Sequence, residues 1–174
     1  MGDPKRLKKK YQKPSHPWQE ARIAKENELM RSYALKNKAE LWKAASIARA
    51  AAAQAKALIA KPGAQTAKEI EALLARLRKL GLLGESAVID DVLVLDTEDV
   101  LKRRLATLVW KKGLARSATQ ARQFIVHGHI SIAGRVTTAP SYLVPVDQEN
   151  AIAFVSSSSL ASESHPERIP VGGA

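Results

Sequence analysis

The chain of 174 residues contains no cysteine, which excludes disulfides, thiolate catalysis and a Cys-ligated zinc. Aromatic residues make up only 5% of it, too few for a single-strand reader that works mainly by stacking bases. No apolar run approaches the roughly 20 residues needed to span a bilayer, and the N-terminus has no apolar signal segment, so an intracellular protein outside the membrane is expected. Also absent are the phosphate-cradling GxxxxGK loop followed by Ser or Thr, the dinucleotide loop GxGxxG and the nucleophile elbow GxSxG, so no catalytic residue and no cofactor is expected. The four histidines, His16, His127, His129 and His165, show no metal-ligand spacing, so no metal is expected either.

What the chain does have is positive charge, unevenly spread. Its net charge of +11 points to nucleic acid, with an anionic membrane surface as the other polyanion to consider. Residues 1 to 60 hold 14 Lys and Arg against 5 acids, and residues 101 to 135 hold 8 against none; residues 61 to 100 and 136 to 174 each carry −3. The eight cations of the acid-free stretch are Lys102, Arg103, Arg104, Lys111, Lys112, Arg116, Arg122 and Arg135. Such a field attracts a phosphate backbone by releasing its condensed counterions.

The same stretch carries a structural pattern. Leu101, Leu105, Leu108 and Val109 form a helical stripe that stops at Gly113. Ser117, three residues before Gln120, has capping-box spacing ahead of a second helix from Ala118 to His127. On that helix Thr119, Gln123 and His127 recur at i, i+4 and i+8 with Arg122 at the edge, while Ala118, Ala121 and Ile125 point elsewhere. One face packs and the other can meet nucleic acid. Ile130 and Ile132 then alternate with small residues up to Gly134, predicting a hairpin. Trp110 falls about opposite the leucine stripe; it is expected to pack against the helical part of the chain and fix the angle between the two basic blocks, with stacking on RNA as the rival.

Arg103 to Val144 resembles the RNA-binding domain named after small-subunit ribosomal protein four, and Lys8 to Ile23 resembles the N-terminus of archaeal and eukaryotic members of that family. The matching positions include Arg104 and Leu105, Gly113, Ala115 to Ser117, Gln120 to Arg122, His127 to Ile130, Gly134 with Arg135, and Pro140 with Ser141. The resemblance implies that Lys112, Arg116, Ser117, Arg122, Gln123, His127, His129 and Arg135 lie at or near the RNA surface. It further implies an archaeal-type structural constituent of the small subunit that binds small-subunit ribosomal RNA directly, enters assembly early and influences translational accuracy. Its setting would be the cytoplasmic ribosome, beside neighbouring small-subunit proteins including protein five and near the path by which messenger RNA enters, with no membrane partner. Two positions depart from the family. Ala106 stands where a polar residue is common, and Ala133 precedes Gly134 where Asn-Gly is usual, so a type II turn with Gly134 third is expected in place of type I′.

The remaining chain reads as helical. A basic tail, 1–14, holds Lys8, Lys9 and Lys10 and is expected to stay extended until RNA orders it. In a helical domain, 15–96, a helix runs from about Trp18 to Leu35, and Asn37 with Glu40 makes a capping box before the stripe Leu41, Ala44, Ala48, Ala51, Ala55 and Leu58. Pro62 and Gly63 close that element. Thr66 with Glu69 makes a further capping box, before a helix that ends at Gly81. Asp96 to Asp99 have the composition of a helix N-terminus rather than a metal or acid–base site. The RNA-binding unit then spans 97–155, and 156–174 is a Ser- and Gly-rich tail. The fold class is α+β. Two rival functions share the small domain: an RNA-modifying enzyme carrying it as an accessory, and a free-standing RNA chaperone.

Overall fold

A computed structural model describes residues 9–61, 63–162, 165 and 167; Lys8 and the residues before it lie outside the described residues. The protein is α+β, with helices α1 (Glu20–Ser32), α2 (Lys38–Ile59), α3 (Ala64–Lys79), α4 (Asp91–Val94), α5 (Thr97–Lys102), α6 (Leu105–Lys111), α7 (Ala118–Val126) and α8 (Val146–Glu149). Strands β1 (Ile130–Ile132), β2 (Arg135–Val136) and β3 (Ile152–Phe154) form one antiparallel sheet in the order β2-β1-β3.

Helix α2 is the spine. Its buried stripe is the one its sequence displays, Leu41, Ala44, Ala48, Ala51, Ala55 and Leu58, and the alanines let neighbouring helices approach closely. One end of α2 packs on Leu35, Val100 and Leu101. The other meets Leu73 and Leu77 of α3 and Val92 of α4. A third core joins α6, α7 and the sheet through Leu105, Val109, Ile125, Ile130, Val144 and Ile152. Val100 and Leu101 of α5 therefore pack with the helical half, so no gap in packing marks the boundary expected after residue 96.

Several local expectations are corrected. The stripe from Leu101 to Val109 does not form one helix, because the chain breaks at Arg103 and Arg104. There segment 140–144 takes over the backbone: Leu105 N–H donates to the Tyr142 carbonyl at 2.8 Å, and Val144 N–H donates to the Arg103 carbonyl at 3.1 Å. Tertiary hydrogen bonds outweigh helical periodicity here. Thr66 does not cap α3. Its hydroxyl donates to the Lys61 carbonyl at 2.6 Å, and the helix begins earlier, after Gly63.

The hairpin turn is also a correction. Ile132 pairs with Arg135, which leaves two residues in the loop, and both have positive φ: Ala133 at 48° and Gly134 at 78°. That is the type I′ signature, preferred because its twist matches the flanking strands. Strand twist prevails over the local preference of alanine, which carries the strain.

The part of the basic tail that is described does not stand free. Gln12 N–H donates to Ser46 Oγ at 3.1 Å, Arg49 donates to Gln12 Oε1 at 3.3 Å, and the Tyr11 ring lies 6.1 Å from that of Trp42. At the other end a 3₁₀ turn, Ser159–Ala161, buries Leu160 in the third core, so the expected loose tail does not begin at 156. Trp110 keeps 40% of its surface exposed and joins none of the three cores. Residues Leu105 to Val109 use up the buried part of α6, and Trp110 projects past those contacts in the last turn.

Candidate nucleic-acid interface

Apart from Lys102, the cations of the acid-free stretch fall into two sets. In the inward set, Arg104 and Arg122 close on one carboxylate supplied by α2. Arg104 Nη2 lies 2.5 Å from Glu40 Oε2, while Arg122 donates through Nη2 to Oε1 at 2.8 Å and through Nη1 to Oε2 at 3.1 Å. Burial alone would push the Glu40 carboxyl upward, but the two guanidiniums prevail and hold it at about 2. Arg103 pairs with Glu149 at 2.7 Å and donates to the Val144 carbonyl at 3.0 Å. Its guanidinium lies over Gly81, where an added Cβ would come within 2.9 Å of it. Lys102 belongs to neither set: it is exposed and pairs with Asp99, three residues before it, at 2.9 Å.

These partners set part of the expected contact set against other parts of the chain. Arg104, only 5% exposed, is an interior residue that ties α6 to α2 and does not face solvent. Arg103 and Arg122 are likewise engaged within the chain. The reason is tertiary: Glu40 and Glu149 come from distant parts of the sequence and neutralise arginines that have no acid nearby in sequence. Glu40 was legible only as half of a capping box, and Asn37 does cap α2 by accepting from Glu40 N–H at 3.1 Å. The Glu40 side chain goes to the arginines instead. It is the lone acid between Glu28 and Glu69, the one signal that could have marked it.

The outward set comprises Lys111, Lys112, Arg116 and Arg135, all exposed, with exposed Thr119, Gln123 and His127 on the outer face of α7. Helix α7 is held in place from both ends. At its start Ser117 Oγ accepts from Gln120 N–H at 3.2 Å, so this hydroxyl serves as a cap. At its end Gly128, with φ 77°, turns the chain, and His129 N–H returns to the Phe124 carbonyl at 2.9 Å. Lys112 Nζ donates to the Glu149 carbonyl. His129 is half-buried. Its Nδ1 lies 2.8 Å from Ser158 Oγ, Phe124 meets it edge-on, and His127 stacks on it at 6.3 Å. Ser158, in a run of four serines, carries no local signal that marks it as the partner of His129.

A second basic area lies on the helical half. Lys9 and Lys10 are exposed and, with Tyr11 and Arg49, line a groove of about 460 Å³ along α2. Among the described residues no group of three or more His, Asp or Glu could hold a metal ion, and no helix is long and apolar enough to cross a membrane.

Two short helices, a two-residue hairpin and a third strand, with an exposed cationic outer face, define the class. Residues 103–150 match the family described as the S4 domain. Over 169 residues the chain is 52% identical to small ribosomal subunit protein uS4 of Methanococcus aeolicus and 48% identical to that of Hyperthermus butylicus, in each case covering 97% of this chain and 96% of the relative. It is 52% identical over 165 residues to the same protein of Nanoarchaeum equitans, covering 94% and 92%. The chain belongs to the small ribosomal subunit protein uS4 family, in its archaeal form.

Proposed function

We propose that the chain binds small-subunit ribosomal RNA through the outward set, nucleates assembly of the subunit and influences decoding accuracy. Its family makes it a structural, non-enzymatic component of the ribosome, which sets aside the RNA-modifying enzyme. The observation that carries the RNA-contact reading is the composition of the exposed face. Lys111, Lys112, Arg116 and Arg135 are exposed together with the Thr119, Gln123 and His127 stripe, and one acid reaches α7: Glu167 accepts from Gln120 Nε2 at 2.9 Å and lines a groove with Gln123 and His127. Four exposed cations and a polar stripe against a single acid suit phosphate contact, whereas a merely solvated face mixes both signs evenly. Lys9 and Lys10 supply a second contact on α2, and His129 orients His127. In the particle the chain sits beside protein five and near the path by which messenger RNA enters. Residues 15–96 and 97–155 act as the two RNA-facing units.

The test is the affinity of the full chain for small-subunit ribosomal RNA across a salt series. Log affinity should fall by roughly 0.7 to 0.9 per phosphate neutralised for each unit of log salt, and the protein should co-sediment with small subunits at high salt. Equal affinity for unrelated RNA of the same length would defeat the assignment. Reconstitution without the chain should slow particle formation.

A further inference from the structure

We propose that the cleft between the first turns of α2 and segment 140–143 is a binding site for a single nucleotide turned out of the RNA helix; this rests on the reading that the chain binds RNA. The cleft has a volume of about 360 Å³, within the roughly 300–1,000 Å³ of small-molecule sites and far too small for a duplex.

Its charge asks for an anion. Lys43, Arg104 and Arg122 line it against one carboxylate, Glu40, whose two oxygens already accept three hydrogen bonds from the two arginines. Three cations facing one acid leave a local excess of +2. Arg104 is more than nine-tenths buried, yet its Nε and Nη1 have no acceptor. Buried donors in native proteins are nearly always satisfied; both atoms are closed to solvent in the free chain, and a turn of the Arg104 guanidinium toward an anion in the cleft gives it the acceptor the chain does not. The opposite wall is apolar. Pro140 and Leu143 line it, and Ile47 leaves 39% of its surface in water, offering a face for a base. One ligand combines both walls, a nucleotide with its phosphate toward the arginines and its base on Ile47 and Pro140.

The probes are uridine 5′-monophosphate, uridine and inorganic phosphate, titrated into the full chain while the amide resonances of Ala44, Val100 and Ser141 are followed. The monophosphate should move these resonances, with uridine and phosphate each binding at least tenfold more weakly. Ser141→Trp, at the exposed mouth, should fill the cleft, abolish monophosphate binding and lower affinity for small-subunit ribosomal RNA roughly tenfold without changing the melting temperature. Ile47→Ala, which removes the base wall without adding bulk, should weaken both in the same direction. Lys111→Ala should leave monophosphate binding intact. Inorganic phosphate matching the monophosphate would overturn the nucleotide assignment, and so would wild-type RNA affinity in Ser141→Trp. Failure of the unmodified chain to bind the RNA at all would sink the RNA reading itself, a result the two variants cannot produce.

Discussion

Arg103, Arg104 and Arg122 share a stretch without acids with Lys111, Lys112, Arg116 and Arg135, yet the first three meet carboxylates brought from elsewhere in the chain and the last four stand exposed. Nothing in local composition separates them. What separates them is where Glu40 and Glu149 arrive in space. The inward set holds α6 and α7 to α2 and the end of α3 to the region of α8. The outward set stands at the surface. A charge run in sequence is therefore an upper bound on a binding surface, and the fold decides how much of it remains available.

The largest effect should come from removing the shared acid. Glu40→Ala leaves two guanidiniums without a counter-charge, one buried and one with 22% of its side chain exposed. Deleting one partner of a buried pair costs about 3–5 kcal/mol, and the low end, about 3 kcal/mol, fits a node partly open to water. Urea denaturation of the RNA-free protein would measure it. A loss under about 1 kcal/mol would erase the distinction between the two sets.

Acid should act on the same node. The folded Glu40 carboxyl sits at about 2 against an ordinary 4.5, so its contribution is complete above pH 4.5 and is lost as pH falls toward 2. Allowing for solvent screening, this amounts to on the order of 2 kcal/mol. Glu26 and Asp99 are also held low and act in the same direction, Glu26 against its burial through Trp42, Lys38 and Arg22, and Asp99 against its burial through Lys102 and the Asp96 N–H. The informative quantity is thus a difference: Glu40→Gln should flatten the stability-versus-pH curve between 4.5 and 2 relative to the unmodified chain. Identical curves would contradict the clamp.

The outward set should respond in the opposite manner. Lys111→Ala with Arg135→Ala should alter stability by less than about 0.5 kcal/mol while lowering the salt slope of RNA binding by roughly 0.7 to 0.9 per contact removed. Affinity loss that scaled with unfolding would place these residues in the inward set.

How far the sequence could be read follows the same division. Periodicity and caps are local, so the stripe of α2, the cap at Asn37, the helix start at Asp96 to Asp99 and the stop at Gly113 are all legible. The break between α5 and α6 was not, since the backbone acceptors that replace helical bonds belong to residues near 142. Trp110 was misjudged for a related reason: angular position on a helix does not say where its neighbours end. Of the predicted contact residues, those on the outer face of α7 came from spacing that a short, well-capped helix preserves. Arg104 needed Glu40, 64 residues away in sequence.

The hairpin that presents Arg135 offers the smallest and most local test. Ala133, at φ 48°, is held in the left-handed region, where a Cβ meets the next carbonyl at a cost of roughly 1–2 kcal/mol. The two-residue loop and strand twist keep it there. Ala133→Gly removes that strain but gives the unfolded chain more freedom, worth about 0.4–1 kcal/mol in the other direction, so its net effect should be near zero. Ala133→Asn should do better, because asparagine tolerates this region through local side-chain hydrogen bonds without glycine's entropy; the expected gain is about 0.5 kcal/mol, in keeping with the Asn-Gly pair that type I′ turns prefer. RNA affinity should not change, since Arg135 is already placed by its pairing with Ile132. The order in melting temperature is therefore Asn above Gly and Ala, with Gly and Ala close together. A lower melting temperature for Ala133→Asn would mean that the turn does not require positive φ at both positions, and the strain assigned to this tip would have to be withdrawn.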